Sequence, residues 1–235
     1  MEILGIIPAR GGSKTIKRKN IKLLNGKPLL TYTCEAALRS KLISRVVLSS
    51  EDDEIIEVAK KCGVDVPFKR PKYLAQDNSL AQDVVLHLLN KLKKKLSYVP
   101  DIIIYLQPTS PLRTSKDIDK ALSLLIDNYQ AKAIVSVMQV PHNFIPECIY
   151  QMNSNGRLDL YKNAKVKLLR QHKPLYYARN AAIYAMKTEC FVKHKSLILS
   201  DSIPYVMNYE HSIDIDSIYD FILVNQLLKK KVGEY

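Results

Sequence analysis

The amino-terminal segment carries side chains suited to binding a polyanion. An apolar run that starts at Ile3 passes directly into AlaArgGlyGlySerLys at residues 9–14. Glycines let a backbone approach phosphates closely, and Arg10 and Lys14 add positive charge. Because like charges repel, a polyanionic ligand explains this crowding better than folding does. The segment predicts a phosphate-binding loop, with an ordinary basic turn as the alternative. Its spacing matches neither GxxxxGK[ST] nor GxGxxG, so nicotinamide binding is unsupported.

A second candidate site lies near the other end of the chain, in IleAspIleAsp at residues 213–216. Residues two apart in a strand point to the same face, so Asp214 and Asp216 are expected side by side. Two close carboxylates repel unless a cation joins them, and oxygen ligands of this kind suit Mg²⁺. The alternative is a pair of surface aspartates in which Asp216 caps the last helix.

Two further groups of polar residues could contact a small ligand. LeuGlnProThrSerProLeuArg, residues 106–113, follows an apolar run, and its prolines would stiffen the loop. That loop would hold Gln107, Thr109, Ser110 and Arg113 in place, unless it is only a rigid turn before a helix. Paired arginines suit a carboxylate or phosphate. The second group therefore comprises Arg170, Gln171, Arg179 and Asn180.

Composition favours one α/β domain that spans residues 1–235. The chain is 47% hydrophobic, with 36 Lys and Arg against 23 Asp and Glu, a net charge of +13. This excess favours anionic partners. Neither a signal peptide nor an apolar run long enough to span a bilayer is recognisable, so we expect a cytoplasmic protein without a membrane partner. The dispersed cysteines lack zinc-ligand spacing and are expected to be reduced.

The positions of the predicted elements explain how these segments could meet. Apolar runs predict strands at residues 3–8, 46–50, 101–106 and 132–137, and later at 177–186 and 203–208. Amphipathic or capped segments predict helices at 28–38, 51–63, 79–96, 115–129 and 217–230. This alternation predicts a mainly parallel sheet with helices on both faces. Ligands of such sheets bind beyond the carboxyl ends of the strands.

The alternation breaks at residues 141–174, which are richer in polar residues and proline. Asn155-Gly156 predicts a hairpin turn there. We expect these residues to form an antiparallel excursion from the core that acts as a dimer arm.

Taken together, the motifs resemble the acylneuraminate cytidylyltransferase family. The resemblance rests on IIPARGGSK with Lys19-Asn20, Arg70-Pro71 with LAQD at 74–77, LQPTSPLR, Arg170-Gln171, RNAAIY at 179–184 and SIDID at 212–216. It implies a Rossmann-like nucleotide-diphosphosugar-transferase fold, a homodimer formed through residues 141–174, and Mg²⁺ as cofactor. The implied reaction joins CTP to a nonulosonic acid, giving the CMP-sugar and pyrophosphate.

The resemblance also implies roles for individual residues. Catalysis is expected of Arg10, Lys14, Lys19, Asp214 and Asp216, the last two as metal ligands. Nucleotide binding is expected of Ala9, Arg10, Gly11, Gly12, Ser13, Lys14, Asn20, Arg70, Asp77 and Ser79. Sugar binding is expected of Gln107, Thr109, Ser110, Arg170, Gln171, Arg179 and Asn180. The sequence identifies no general base.

Three positions depart from the family pattern. Thr15 and Ala181 stand where glycine is common, and Glu51 stands where aspartate is common. Thr15 is expected to stiffen the loop, since a β-branched residue disfavours positive φ. None of the changes removes a charged ligand, but they leave the sugar open, with legionaminic, pseudaminic or octulosonic acid as alternatives to a sialic acid. A silent CTP-binding relative is a further alternative. A nucleic-acid-binding protein is disfavoured because no aromatic-interleaved basic stripe occurs.

Overall fold

The computed structural model describes residues 1–161 and 174–232, and its centre is a six-stranded sheet. In chain order the strands are β1 (Ile3–Pro8), β2 (Leu23–Leu24), β3 (Lys27–Pro28), β4 (Arg45–Ser49), β5 (Ile102–Tyr105), β6 (Ala133–Gln139), β7 (Tyr150–Met152), β8 (Leu158–Leu160), β9 (Tyr177–Lys187) and β10 (Ile203–Val206). The central sheet has the order β10-β6-β9-β5-β1-β4. The strands predicted from apolar runs all occur, with ends shifted by a few residues.

Helices cover the sheet as predicted. They are α1 (Leu29–Leu38), α2 (Asp53–Lys61), α3 (Ala81–Leu96), α4 (Ser115–Asp127), α5 (Thr188–His194) and α6 (Ile218–Val232). The sequence did not predict α5. The acidic start of α2 is confirmed, since the Asp52 side chain accepts the Ile55 amide at 3.1 Å. Gly63 follows that helix with φ +87, as expected of a C-terminal glycine.

The sheet is mixed, with one central strand reversed. β1 runs parallel to β4 and β5, and β6 runs parallel to β10. β9 is antiparallel to both β5 and β6, because the chain leaves β6 through the excursion and returns beside it. The fold class is therefore confirmed as α/β with mostly parallel strand pairing. In the excursion β7 and β8 form the predicted hairpin, with Gly156 at φ +72 in its turn.

Two apolar layers lie on the two faces of the sheet. Ile7 of β1 and Ile104 of β5 pack with α1, α2 and α4, whereas Leu4 and Ile103 pack with α3 and with Phe191 of α5. Because both faces are covered, the strand sequences are apolar throughout rather than alternating. A smaller cluster joins Ile16, Leu29, Ile215 and Phe221, which fixes α6 against the chain segment after the basic loop.

A bulge interrupts β9 where it passes β6. The pairing shifts from Val135↔Tyr184 to Val137↔Arg179, so β9 accommodates extra residues there. The Ser136 hydroxyl donates to the Asn180 side chain at 2.6 Å and accepts the Ile183 amide at 2.7 Å. Ala181 has φ +60, a left-handed conformation that costs an L-residue energy.

No helix within residues 1–161 and 174–232 combines the length and the apolarity needed to cross a bilayer.

Because Ala181 is strained, Ala181→Gly should raise the free energy of unfolding by about 1 kcal/mol, since glycine adopts positive φ without a steric penalty. Urea denaturation measures the change. Ala182→Gly is the matched control: Ala182 is buried and lacks positive φ, so glycine there should destabilise by about 1 kcal/mol. A lower stability for Ala181→Gly would show that the bulge carries no relievable strain.

Candidate active site

A cavity of about 420 Å³ opens beyond the carboxyl ends of β1 and β5. This is where ligands bind in open α/β sheets. Of the residues predicted to act in the site, the cavity is lined by Arg10, Gly12, Ser13, Lys14, Lys19, Asn20, Arg70, Asp77, Ser79, Gln107, Thr109 and Asp216. The cationic loop and the acidic segment therefore meet at one cavity, although they lie at opposite ends of the chain.

The two glycines of the basic loop lack a side chain for different structural reasons. A Cβ on Gly11 would collide with the Asp52 carboxylate, whereas a Cβ on Gly12 would meet no atom within 4 Å. The Gly11 amide donates to Glu51 Oε1 at 2.7 Å, so that amide is already engaged by protein. Gly12 lines the cavity and leaves room for close approach of a ligand.

The cations of this loop divide into two groups. Arg18 forms a bidentate ion pair with Asp52 and also contacts Glu54 at 3.1 Å, so its charge stabilises the loop on the side away from the cavity. Arg10 and Lys14 instead reach Asp77, at 3.1 Å and 3.0 Å. Thr15 also lines the cavity. Thr15 is not among the residues with positive φ, and the expected stiffening of the loop by this residue stays a prediction.

Lys19 connects the basic loop to the acidic segment. Its Nζ donates to the Ile215 carbonyl at 2.8 Å and lies 3.8 Å from Asp216 Oδ1. The Ile215 amide in turn donates to the Thr109 carbonyl at 2.8 Å, which ties in the loop that follows β5. Three segments distant in sequence are thus held together at the cavity.

The acidic segment is extended but pairs with no strand, so its assignment to a strand was wrong. It follows a short turn at Glu210–Ser212, and Ile215 is buried while Asp216 is exposed. Asp216 does not cap α6 either, because the Ser217 hydroxyl accepts the Asp220 amide at 3.3 Å and the Asp220 side chain accepts the Ser217 amide at 2.7 Å.

Burial raises the pKa of Asp214 above its ordinary value, and the nearby charge of Asp216 raises it further. The Thr109 and Ser110 hydroxyls and Lys19 act in the opposite direction without reversing the shift. A partly buried carboxylate of this kind is one that a bound cation would stabilise.

Arg113 holds the loop after β5 from below rather than facing the cavity. It is 2% exposed, and burial lowers its pKa to about 10. It donates to the Ala182 carbonyl and the Thr33 hydroxyl, both at 2.7 Å, and to the Gln107 carbonyl at 3.2 Å. Arg113 therefore links α1, the bulge of β9 and the loop that presents Gln107.

Several predicted residues do not line the cavity. Asn180 is buried in the bulge, where its amide donates to Ser212 Oγ at 2.9 Å, a position that supports the backbone. Ala9 and Ser110 are also buried, and Arg179 is exposed on β9. Arg170 and Gln171 lie outside the described residues.

Several residues that contribute to the site were not predicted from the sequence. Tyr105, at the end of β5, and Val84, in α3, line the cavity with apolar surface. Their signals were a strand end beside the proline-rich loop and the first turn of an amphipathic helix. Glu51 was noted only as a departure, whereas it anchors the Gly11 amide.

Among the residues the structure describes, no group of three or more His, Cys, Asp and Glu side chains is arranged to hold a metal. Two carboxylates completed by water and substrate phosphates are nevertheless the ligand set that suits Mg²⁺. Asp216 lines the cavity, whereas Asp214 is partly buried and does not line it, so the metal site stays a prediction.

Comparisons of the sequence with known proteins indicate one family, the cytidylyltransferases. A family model described as cytidylyltransferase matches residues 4–227. A CMP-N,N'-diacetyllegionaminic acid synthase of Legionella pneumophila is 34% identical over 97% of both chains. An N-acylneuraminate cytidylyltransferase of Escherichia coli is 32% identical over 98% of this chain and 53% of its own.

A solved structure shares the fold. The CMP:2-keto-3-deoxy-manno-octonic acid synthetase complexed with CTP superposes with a TM-score of 0.74 at 16% identity, over 98% of this chain and all of that one.

The raised pKa of Asp214 predicts a stability change with a definite pH dependence. Above the folded pKa the ionised carboxylate opposes folding, and below its unfolded value of about 3.9 this cost is absent. Asp214→Asn should therefore raise the free energy of unfolding at neutral pH, and the gain should shrink as the pH falls toward about 4. Urea titrations across this range measure it.

Asp201→Asn is the matched control for that series. A hydrogen bond from Lys132 lowers the pKa of Asp201, so removal of the Asp201 carboxylate should slightly destabilise the protein at neutral pH. Equal behaviour of the two variants would contradict the inferred environment of Asp214.

Proposed function

The chain belongs to the cytidylyltransferase family, and on that premise we propose that it transfers the CMP unit of CTP to a nonulosonic acid and releases pyrophosphate. The observation that carries the proposal is the meeting of Arg10, Lys14 and Lys19 with Asp216 at one cavity. A triphosphate needs positive charge and a route to a divalent cation, and this arrangement supplies both.

The reaction follows from the charges. The anomeric hydroxyl of the sugar attacks the α-phosphorus and loses its proton to solvent, so that a new oxygen–phosphorus bond forms. The bond from the α-phosphorus to the oxygen that bridges to the β-phosphate breaks, and its electron pair leaves on pyrophosphate. Phosphate oxygens repel a nucleophile until their charge is neutralised. Arg10 and Lys14 would neutralise it from the basic loop, and Lys19 from the side of the acidic segment. Such catalysis consists mainly of positioning and electrostatic stabilisation.

Asp214 and Asp216 would hold Mg²⁺, which supplies further charge neutralisation on the phosphates when it is bound. The burial of Asp214 and its proximity to Asp216 support this assignment. Lys19 keeps its ammonium group on the Ile215 carbonyl at 2.8 Å, so it fixes the backbone between the two carboxylates. In this proposal the lysine positions the acidic segment as well as contributing charge.

The sugar acid is proposed to lie against the loop of residues 107–110, with Gln107 and Thr109 at the cavity wall. A sialic-type nonulosonic acid is the substrate class that the named relatives support, since one acts on a legionaminic acid and another on an acylneuraminate. The sugar carboxylate is proposed to pair with Arg170, which lies outside the described residues.

We also propose a homodimer and a cytoplasmic location. The excursion exposes Tyr150, Met152 and Leu158 on β7 and β8, and apolar side chains on a projecting hairpin favour burial against a second copy. The free thiols of the chain, including Cys62 and Cys148, agree with a reducing compartment.

A substrate panel tests the proposed reaction. Purified protein with CTP and Mg²⁺ should release pyrophosphate with a sialic, legionaminic or pseudaminic acid and form the matching CMP-sugar, which mass spectrometry identifies. An octulosonic acid belongs in the panel as the sugar of the structural neighbour. Activity with none of these acids, in protein that binds CTP, would overturn the proposal.

Charge removal at the cavity should lower the rate strongly. Lys14→Met removes a cation that lines the cavity and should reduce kcat/KM by about a hundredfold, as expected for one preorganised electrostatic partner. Lys17→Met is the matched control, because exposed Lys17 belongs to the same segment but does not line the cavity. Its kcat/KM should stay within about threefold. Similar losses in both variants would indicate a general effect of net charge.

A further inference from the structure

The Asp77 carboxylate pairs with Arg10 and Lys14, the two cations of residues 9–14 that line the cavity. Its Oδ1 lies 3.1 Å from Arg10 Nη1 and its Oδ2 lies 3.0 Å from Lys14 Nζ. Arg10 Nη1 also donates to the Gln76 carbonyl at 2.9 Å. The hydrogen bond from Lys14, with the charges of both cations, holds the pKa of Asp77 below its ordinary value, so the carboxylate is ionised at neutral pH.

The segment that carries Asp77 is folded on itself but has little attachment to the core. Ser79 Oγ accepts the Gln76 amide and donates to the Tyr73 carbonyl, both at 3.0 Å. Leu74 is buried beneath the turn, whereas Gln76 and Asp77 are exposed. The carboxylate is therefore presented in a defined place, and few contacts oppose its movement away from the cations.

The position of Asp77 conflicts with binding of a phosphate by the same two cations. A carboxylate and a phosphate both use the guanidinium and ammonium groups as hydrogen-bond donors. One anion must leave Arg10 and Lys14 before the other can make the same contacts.

We propose that Asp77 is an internal competitor for the phosphate subsite, and that the triphosphate of the nucleotide displaces it while its return helps to expel the product. This inference rests on the proposed function, since it takes the displaced position to be that of a nucleotide's phosphates.

The competition lowers affinity through an equilibrium between two forms of the protein. In the closed form Asp77 pairs with Arg10 and Lys14, and in the open form both cations are free. If only the open form binds anions, the apparent affinity for every phosphate is the intrinsic affinity multiplied by the fraction of protein that is open. A triphosphate carries enough charge to bind despite this loss. The CMP-sugar keeps only a phosphodiester, with a single charge like that of the carboxylate. Asp77 therefore weakens product binding to the point of release while substrate still binds.

The test measures binding of inorganic tripolyphosphate and of CMP by calorimetry, in the wild type and in Asp77→Asn. Because exposed ion pairs of this kind are weak, both ligands should bind only about fivefold tighter to the variant. Tripolyphosphate has no nucleoside, so its affinity reports the cations alone. In turnover, the variant should show stronger inhibition by the CMP-sugar.

Asp83→Asn is the matched control, since exposed Asp83 lies in the first turn of α3 but does not line the cavity. Its tripolyphosphate affinity should stay within about twofold of wild type. An equal tightening in both variants would assign the effect to net charge and overturn the inference. Unchanged or weaker tripolyphosphate binding by Asp77→Asn would also overturn it.

The two proposals fail in distinguishable ways. Tighter tripolyphosphate binding by Asp77→Asn, in a protein that releases no pyrophosphate with any sugar acid, supports displacement and overturns the proposed reaction. Unchanged binding in an enzyme that makes a CMP-sugar overturns displacement alone.

Discussion

The contact of Lys19 with the segment 196 positions later in the chain is the interaction on which the cavity depends. Its ammonium group lies between the Ile215 carbonyl and the Asp216 carboxylate. Without it, Asp214 and Asp216 would repel each other with less opposition, because the charge of Lys19 counters the effect of Asp216 on Asp214. The same lysine thus orders both sides of the cavity, and the small apolar cluster around Ile16 and Ile215 holds the two segments at that distance.

Beneath the cavity, buried polar groups replace the regular hydrogen bonds that the bulge of β9 gives up. Arg113 and Asn180 are both buried: Arg113 donates to the Ala182 carbonyl in the bulge, and Asn180, itself in the bulge, donates to Ser212 Oγ and accepts the Ser136 hydroxyl. A buried polar group is tolerated only when it is hydrogen-bonded, so these side chains specify one conformation of the loop after β5. The strained φ of Ala181 is retained within this network.

The sequence predicted those parts of the fold that depend on local pattern. β1 was placed at its observed bounds because both faces of that strand are covered and its residues are therefore continuously apolar. The helix α5, Thr188–His194, was missed because it is short and directly follows β9. Reversal of β9 was not specified, since strand direction depends on where the chain returns after the excursion.

The charged residues of the candidate site could be predicted from the sequence, but the hydrogen bonds that hold the site in place could not. Arg10, Lys14 and Asp216 were identifiable because charge beside an apolar strand end or in a close pair has few structural uses. Asn180 has a supporting position in the bulge, and the capture of the Gly11 amide by Glu51 joins residues 40 positions apart, so neither contact is visible in a local pattern.

The most direct test of the convergence is a crystal structure with CTP and Mn²⁺, with the ion located by its anomalous scattering. Manganese accepts the same carboxylate and phosphate oxygens as magnesium. If the basic loop and the acidic segment share one nucleotide, one peak is expected within coordination distance of Asp214, Asp216 and a CTP phosphate, and the triphosphate should lie against Arg10 and Lys14. A triphosphate bound away from these cations, or an ion that contacts neither aspartate, would contradict it.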